Sequence, residues 1–293
     1  MNKYNPNKYF TVTLNSSDTS NADNKICRFE TVLPRPRMLE GNWLVGLSEI
    51  QYTRSWFNIT EDQTIWVTDK DEEPTPCPTR VKKGHYDNVD VLVRAINTSL
   101  TSASKLLQDK YGKTAGPELT PPSIKHIQRE RSFKVVPGKS PENGELNLRL
   151  SAELAEMLGL KPLTKTDEYE RNLETNSESN EIGMHTDVIK GGPSNEAGYQ
   201  CYDLNRGIHS IFVYCNLIVP SYVGNSFSKL LRVVPVQNKP FGDQCSHVYP
   251  KPYFYPLHCN VLHKIEVVLR DHTGTTIPFE FGQSTIVLEF MKL

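Results

Sequence analysis

Cysteine and histidine side chains that could bind a metal ion occur close together in the C-terminal part of this sequence. They are Cys245 and His247, the adjacent pair His258 and Cys259, and His263. Thiolate and imidazole are ligands that zinc prefers. The spacing matches no compact zinc module, and on a strand two adjacent residues point to opposite faces. We therefore expect no metal site here and interpret these residues as separate core or loop side chains.

Paired carboxylates, which could act as general acid and base, occur at residues 71–73 and 167–170. Both pairs lie in segments whose composition is typical of solvated loops, whereas a catalytic pair needs a pocket that excludes water. The sequence also lacks the nucleophile elbow, the zinc-peptidase helix motif and the dinucleotide-binding glycine motif. We therefore expect no enzymatic activity, no catalytic residue and no cofactor.

The composition limits the classes of partner. The 293 residues include 33 basic and 34 acidic side chains, and the formal net charge is -1. This balance predicts no specific nucleic-acid partner. No apolar run approaches the roughly 20 residues that span a bilayer, and residues 1–8 lack the apolar core of a signal peptide. We expect synthesis in a reducing compartment and free thiols at the six cysteines.

Most of the chain reads as β-strands. Alternating or continuous apolar residues mark strands near residues 9–14, 26–32, 64–68, 124–128, 133–136, 146–150, 211–219 and 230–236. Residues 264–290 read as a meander of three strands, whose inward-facing sets begin at Ile265, Ile277 and Ile286. Strands without alternating helices favour a sandwich over an α/β fold.

The strand within residues 41–59 changes the phase of its alternation near Ser48. Apolar side chains share one face before the change and fall on the other after it: Trp43, Val45 and Leu47, then Ile50 and Tyr52. A β-bulge or a strand covered on both faces would each produce this pattern. In either case the second half, together with Trp56, could cover a helix or a neighbouring subunit.

Helical periodicity occurs in the middle of the chain. Asn88 is a candidate N-cap for a helix over residues 88–108, and Ser151 is one for a short helix that ends near Gly159. Residues 164–198 are polar and read as an exposed loop. We predict an all-β fold, a single jelly-roll sandwich with an inserted region that contains one main helix and a short second helix. Residues 1–68 and 206–293 form the jelly roll, and residues 69–205 form the region that bears the insertion.

Aromatic residues are the best candidates for a subunit interface. Trp56 and Phe57 lie where a strand passes into a loop, and Tyr253, Phe254 and Tyr255 lie in a segment that prolines interrupt. Prolines prevent such a segment from pairing as a central strand. We expect these rings to cover a core edge or to contact another subunit.

Several sequence blocks, in order along most of the chain, resemble one protein family. The blocks are residues 41–59, 84–97, 150–160, 210–220, 223–225, 230–236 and the C-terminal segment 264–290. They resemble the penton, or minor capsid, proteins encoded by Polinton (Maverick) elements and the related adintoviruses. The resemblance implies a single jelly roll that forms homopentamers at the vertices of an icosahedral shell.

The resemblance also implies partners and a location. The expected partners are further copies of this chain and a double jelly-roll major capsid protein, in a virion whose proteins are made in the host cytoplasm, with assembly there or in the nucleus. Residues 164–198 match no block. Two other functions stay open: a β-sandwich module that binds a glycan or a host receptor, and a hydrolase, which would need carboxylates or histidines that converge on one sheet face.

Overall fold

The computed structural model describes residues 8–18, 21–69, 77–111, 120–129, 132–140, 144–158, 202–205 and 207–293. The chain divides into two compact units. The first, here called the terminal unit, comprises Met1–Phe57 and Gly207–Leu293. The second, the inserted unit, comprises Asn58–Arg206 and interrupts the chain of the terminal unit once.

Strands predominate over helices along the chain. In order, the elements are β1 (Tyr9–Asn15), β2 (Arg28–Met38), β3 (Trp43–Thr53), β4 (Gln63–Asp69), β5 (Cys77–Val81), α1 (Val89–Tyr111), β6 (Ser123–Ile127), β7 (Ser132–Val136), β8 (Gly138–Ser140), β9 (Gly144–Arg149), α2 (Ala152–Met157), β10 (Ser210–Cys215), β11 (Ser221–Val223), β12 (Ser226–Ser228), β13 (Leu230–Pro235), β14 (Gln244–Val248), β15 (Phe254–Pro256), β16 (Val261–Arg270) and β17 (Ser284–Lys292). Within the described ranges no helix is both long and apolar enough to cross a bilayer.

The terminal unit consists of two antiparallel sheets. The first has the order β1-β17-β3-β14, with β15 also paired to β3, and the second has the order β13-β10-β16-β2. The chain repeatedly passes from one sheet to the other, since β1, β3, β14 and β17 lie in the first sheet and β2, β10, β13 and β16 lie in the second. This is the strand arrangement of a single jelly roll. The predicted fold class is confirmed.

The core of the terminal unit lies between the inward faces of the two sheets. Successive side chains on a strand point to opposite faces, so one face of each strand is buried. The buried positions alternate along β10 and β16: Ile211, Val213 and Cys215, then Ile265, Val267 and Leu269. At one end Phe10 stacks on Phe290 with ring centroids 4.6 Å apart, and Trp43 tilts against Phe10 at 5.3 Å. The result is a packed β body that can hold surface residues in fixed positions.

A β-bulge lies at Ser48, where the sequence changes phase. In the ladder between β3 and β17, Leu47 pairs with Leu288 and Glu49 pairs with Val287, which leaves Ser48 as the extra residue. The Ser48 hydroxyl donates to the Val287 carbonyl oxygen at 3.1 Å. Of the two interpretations that the sequence left open, the bulge is therefore correct.

The bulge overturns the expectation that Ile50, Tyr52 and Trp56 cover a helix or a neighbouring subunit. All three are buried in the same core as Trp43. The extra residue shifts the alternation by one position, so apolar side chains on both sides of the bulge face inward. A broken pattern in the sequence thus gives a single apolar face in the folded strand.

The predicted three-strand meander over residues 264–290 is wrong. β16 lies between β10 and β2, whereas β17 lies between β1 and β3 in the other sheet. The middle segment forms no strand, although Ile277 is fully buried and Phe279 is half-buried. Alternation shows which face of a strand is buried, but it does not identify the neighbouring strand. Residues 271–283 instead cross from one sheet to the other.

The inserted unit has its own core. β5, β4, β9 and β8 form a four-stranded sheet, and β6 pairs with β7. Leu92, Ile96 and Leu100 of α1 are fully buried in this core. The short helix α2 is capped by Ser151, whose hydroxyl accepts from the Leu154 amide at 3.3 Å. The predicted insertion with one main helix and a short second helix is confirmed.

The main helix α1 begins where the sequence predicts. The Asn88 side-chain oxygen accepts from the Val91 amide at 3.0 Å, as an N-cap does. In the middle of the helix, the Asn97 side chain accepts from the Ile124 amide at 2.8 Å and donates to the Ile124 carbonyl at 2.9 Å. These two bonds fix β6 against α1.

The predicted boundary at residue 68 lies too far along the chain. β4 pairs with β5 and β9, so the inserted unit begins at Asn58. The loop composition near residue 69 did not locate this division, because local composition does not reveal with which strands β4 pairs. The second division falls after Arg206, next to the predicted residue 205. The predicted loop 164–198 and the predicted cap at Gly159 lie outside the described residues.

Gly282 ends the segment that crosses between the sheets, and its position tolerates no side chain. Its φ is +93°, and a Cβ there would lie 2.3 Å from the Thr53 hydroxyl oxygen. We expect Gly282→Ala to lower the free energy of unfolding by about 2–4 kcal/mol, from backbone strain and forced displacement together. Gly274→Ala is the matched control, because its φ is +88° but the space around it is open. It should cost about 1–2 kcal/mol in urea denaturation, and equal losses would show that the Thr53 contact relaxes.

Candidate subunit interface

Trp56, one of the five aromatic residues predicted to form an interface, belongs to the core instead. It is 3% exposed, and its ring centroid lies 6.3 Å from that of Tyr52 and 5.6 Å from that of Phe279. Trp56 lies just after the end of β3 in a segment whose residues 53–56 are all buried, and its ring joins the same core as Tyr52. The interface role predicted for Trp56 is therefore wrong.

The other four predicted residues differ in exposure. Phe57 is half-buried and stacks on Phe241 with ring centroids 5.7 Å apart. Phe254 and Tyr255 are half-buried, and Tyr255 packs against the core of the terminal unit. Tyr253, by contrast, is 66% exposed. Tyr253 is thus the predicted residue best placed to contact another molecule.

A second exposed aromatic site was not predicted from the sequence. β11 and β12 form a short hairpin in which Tyr222 and Phe227 pair directly across the strands. The two rings are 86% and 63% exposed, with centroids 5.2 Å apart. The signal that could have revealed the hairpin is the Gly-Asn pair at 224–225, flanked by uncharged residues that favour strands.

The hairpin and Tyr253 lie on two segments that one β-bridge joins. Ile218 and Leu257 form an antiparallel bridge, and Tyr222 and Tyr253 each lie four positions from it along the two segments. The guanidinium of Arg232 then lies 4.4 Å from the centre of the Tyr253 ring. The bridge thus joins the segment before the hairpin to the segment after Tyr253, and the cation-π contact holds the Tyr253 ring against β13.

We call this region the aromatic surface. Its exposed members are Val219, Tyr222, Phe227 and Tyr253, which lie on the two segments joined by the bridge between Ile218 and Leu257. The hairpin itself, residues 221–228, contains no charged residue. A surface of large apolar side chains with few charges has the composition of the central part of a protein interface.

Gly46 holds the Tyr253 segment close to the sheet. β15 pairs with β3 at this point, and Phe254 is the partner of Gly46 in the register. A Cβ on Gly46 would lie 2.8 Å from both the Pro252 Cβ and the Tyr253 carbonyl oxygen. Because glycine has no Cβ, the backbone that carries Tyr253 can pack directly on β3. The exposed ring is therefore mounted on a rigid part of the fold.

The buried cysteines are poorly suited to nucleophilic chemistry or to metal binding. Burial raises the pKa of Cys215 to about 12 and also raises the pKa of Cys245 and Cys259. Thiols in this state are poor nucleophiles and poor zinc ligands. The His258 ring nitrogen Nδ1 lies 2.7 Å from the Leu217 carbonyl oxygen. In the part of the chain that the structure describes, no three His, Cys, Asp or Glu side chains are grouped as metal ligands.

His247 lies between two tyrosine rings. Its ring centroid is 6.3 Å from that of Tyr52 and 6.3 Å from that of Tyr249. Burial lowers the pKa of His247 below its ordinary value; the Pro235 carbonyl opposes this shift, and the charge of Lys239 adds to it. The neutral imidazole is thus the form that the folded protein prefers.

We expect acid to destabilise the terminal unit through His247. The pKa of His247 in the folded protein lies below the unfolded value of about 6.5. The stabilisation is therefore complete above about pH 6.5 and is lost as the pH falls from there through the folded pKa. The thermal midpoint should fall more in the wild type than in His247→Phe between about pH 7.5 and about pH 5.5, since phenylalanine keeps the stacking without titrating. Equal falls in the two proteins would show that other groups cause the acid sensitivity.

No family model and no curated protein matches this sequence. Among solved structures, the chain is similar to the crystal structure of the selenomethionine-labelled mavirus penton protein. The two chains are 11% identical, the TM-score is 0.48, and the alignment covers 98% of this chain and 100% of that chain. That structure is a penton protein, the class that the sequence blocks resemble.

Proposed function

We propose that this protein is a structural minor capsid protein of the penton type, which forms closed rings of five copies at the vertices of an icosahedral particle. The aromatic surface is the observation that carries this proposal. Tyr222 and Phe227 contact each other while both are largely exposed, and clustered exposed apolar side chains are typical of interaction sites. The sequence blocks that resemble penton proteins support the same function.

The jelly roll suits such an assembly. A ring of identical copies is held by contacts between two different surfaces of the subunit, and it closes only if each copy presents them at a constant angle. The packed sandwich provides that constancy, and Gly46 and Arg232 hold Tyr253 against it. The function is then association, with the aromatic surface as one side of the contact.

The particle context follows from the same proposal. The ring would be surrounded by a double jelly-roll major capsid protein, and the protein would reside in the virion after synthesis in the host cytoplasm. Penton subunits face the exterior at a vertex, so a host receptor or glycan is a further candidate partner. The homopentamer and the major capsid protein are the partners on which the proposal depends.

Native mass spectrometry tests the proposal directly. The protein is measured alone and mixed with the double jelly-roll major capsid protein encoded with it. We expect a pentamer in at least one of the two samples, because neighbouring shell subunits supply extra contacts that hold a weak ring together. A strict monomer or an exclusive trimer in both samples would contradict the proposal.

A glycan-binding or receptor-binding role is the second candidate. It is favoured by Tyr222, which is 86% exposed on the hairpin and combines an apolar ring with a polar hydroxyl. A glycan array with the wild type and with Tyr222→Ala tests this role. Signals that the variant loses would support it, and an array without signals would remove glycans as ligands.

A further inference from the structure

Besides the three-residue β15, which ends in Pro256, the two main sheets have four edge strands. Two of these four carry prolines that hinder pairing with another strand. β2 contains Pro34 and Pro36, and its register with β16 shifts between Leu262 and Lys264. β13 ends in Pro235 and has only six residues. Proline has no amide hydrogen to donate, so it blunts the edge of a sheet.

The third edge strand, β14, is covered by side chains. The Gln237 side chain donates to the Ser246 carbonyl oxygen at 2.8 Å, and the Lys239 ammonium donates to the Gln244 carbonyl oxygen at 2.7 Å. These two carbonyl groups lie on the edge that β3 does not use, because β14 pairs with β3 through the alternate residues. An incoming strand would have to displace both side chains.

The fourth edge strand, β1, presents free backbone groups. Lys8 and Ser16, at its two ends, bond to the backbone of the β17 side. In an antiparallel ladder alternate residues bond to the same neighbour, so Thr11 and Thr13 point their amide and carbonyl groups away from β17. No hydrogen bond to these four groups occurs among the described residues.

The composition of β1 also leaves this edge open. The strand reads Tyr-Phe-Thr-Val-Thr-Leu-Asn, without proline and without a charged residue. Natural edge strands usually carry one or the other, because an unprotected edge is a template for a further strand. We propose that β1 binds an extended segment of another protein, which pairs antiparallel with it and adds a strand to the first sheet.

A second copy of this chain is a poorer occupant than a different protein. In the two main sheets, prolines and side chains close the edges of β2, β13 and β14, and β15 has three residues and ends in Pro256. Among the edges of these two sheets in another copy, the one that matches β1 is therefore β1 itself. Such a contact uses the same surface on both copies and ends at a dimer. If the protein forms rings of five, as proposed, contacts of that kind cannot close them.

The surroundings of β1 define the chemistry of the segment. On the inward face of β1, Phe10 is buried and Val12 is half-buried. The side chains of the added strand that point to the same face should therefore be apolar. Lys8 is exposed and precedes the strand. An antiparallel segment brings its C-terminal end to Lys8, which favours an acidic residue there.

A peptide-binding experiment on the full chain tests this proposal. The probe is the synthetic peptide Thr-Val-Thr-Val-Thr-Asp, acetylated at its N-terminus, and amide hydrogen exchange is followed by NMR. We expect the peptide to slow exchange at Thr11 and Thr13, whose amides otherwise face solvent. A peptide that ends in lysine instead of aspartate should bind more weakly, because Lys8 repels it.

Two substitutions at Thr13 separate the contribution of its backbone amide to peptide binding from the contribution of its side chain. Thr13→Pro removes an amide hydrogen that β17 does not use, and Thr13→Val keeps that hydrogen while removing the hydroxyl. We expect the proline variant to bind the peptide at least about tenfold more weakly and the valine variant to bind it as the wild type does. The exchange measurement on the wild type stays decisive if the proline variant does not fold.

Three results would overturn the proposal. They are unchanged peptide affinity in Thr13→Pro, protection that appears at residues away from β1, and a wild-type dimer in native mass spectrometry that Thr13→Pro abolishes. The last would identify the occupant as a second copy. Peptide binding is measured whether or not rings form, so a failure here is distinct from a failure of the penton proposal.

Discussion

Trp56→Ala should lower the free energy of unfolding of the isolated protein by about 3–5 kcal/mol. The ring is 3% exposed and packs between Tyr52 and Phe279, so its removal leaves a cavity that the surrounding sheets cannot close. Urea denaturation at low protein concentration measures the loss without any contribution from assembly. The expected effect is large because Trp56 is a core residue, although the sequence placed it at an interface.

Tyr253→Ala is the control for this measurement. Its side chain is 66% exposed, so its removal from the isolated protein should cost less than about 1 kcal/mol. The two variants therefore separate core from surface among the residues that the sequence grouped together. A loss for Trp56→Ala as small as that for Tyr253→Ala would mean that the segment after β3 is not packed as described.

The double variant Tyr222→Ala and Phe227→Ala should weaken association of the copies by about 30-fold to 1000-fold. Large aromatic residues at the centre of an interface typically contribute about 2–4 kcal/mol when removed, which converts to that range of affinity. The two rings contact each other and are 86% and 63% exposed, so the stability of the single chain should change little. Native mass spectrometry over a dilution series, with the major capsid protein present if rings require it, measures the change.

A matched control tests whether the loss of any exposed apolar pair weakens association of the copies. Met38 and Val261 are partners in the register of β2 and β16 and are 69% and 42% exposed. The double variant Met38→Ala and Val261→Ala removes an exposed apolar pair outside the aromatic surface. We expect the rings of this variant to dissociate at the same protein concentration as the rings of the wild type. Equal weakening by both double variants would place the contact elsewhere.

The resistance of three sheet edges to pairing is also informative about assembly. Prolines in β2 and β13 and side-chain bonds on β14 leave side chains, not backbone, to make contacts at those edges. Contacts between copies at the aromatic surface would then be made by aromatic and aliphatic side chains and not by strand pairing. Backbone pairing would be reserved for β1, where a different partner is expected.

Local sequence pattern determined those features that depend on nearby residues. The N-cap at Asn88, the alternating burial of β10 and β16 and the irregularity at Ser48 all follow from spacings within one element. Each is decided by backbone geometry with a fixed period, and such a period is visible without knowledge of the neighbours. The all-β class and the inserted helix could therefore be predicted.

The tertiary structure alone decided which elements meet. β16 and β17 have equally regular alternation, but one lies in each sheet, and β4 belongs to the inserted unit because of its partners β5 and β9. Residues far apart in sequence also meet at the candidate interface: Ile218 bridges to Leu257, and the Arg232 guanidinium contacts the Tyr253 ring. Pairing between distant strands depends on the whole chain, so residue spacing predicts an inward or outward face but not the neighbour across it.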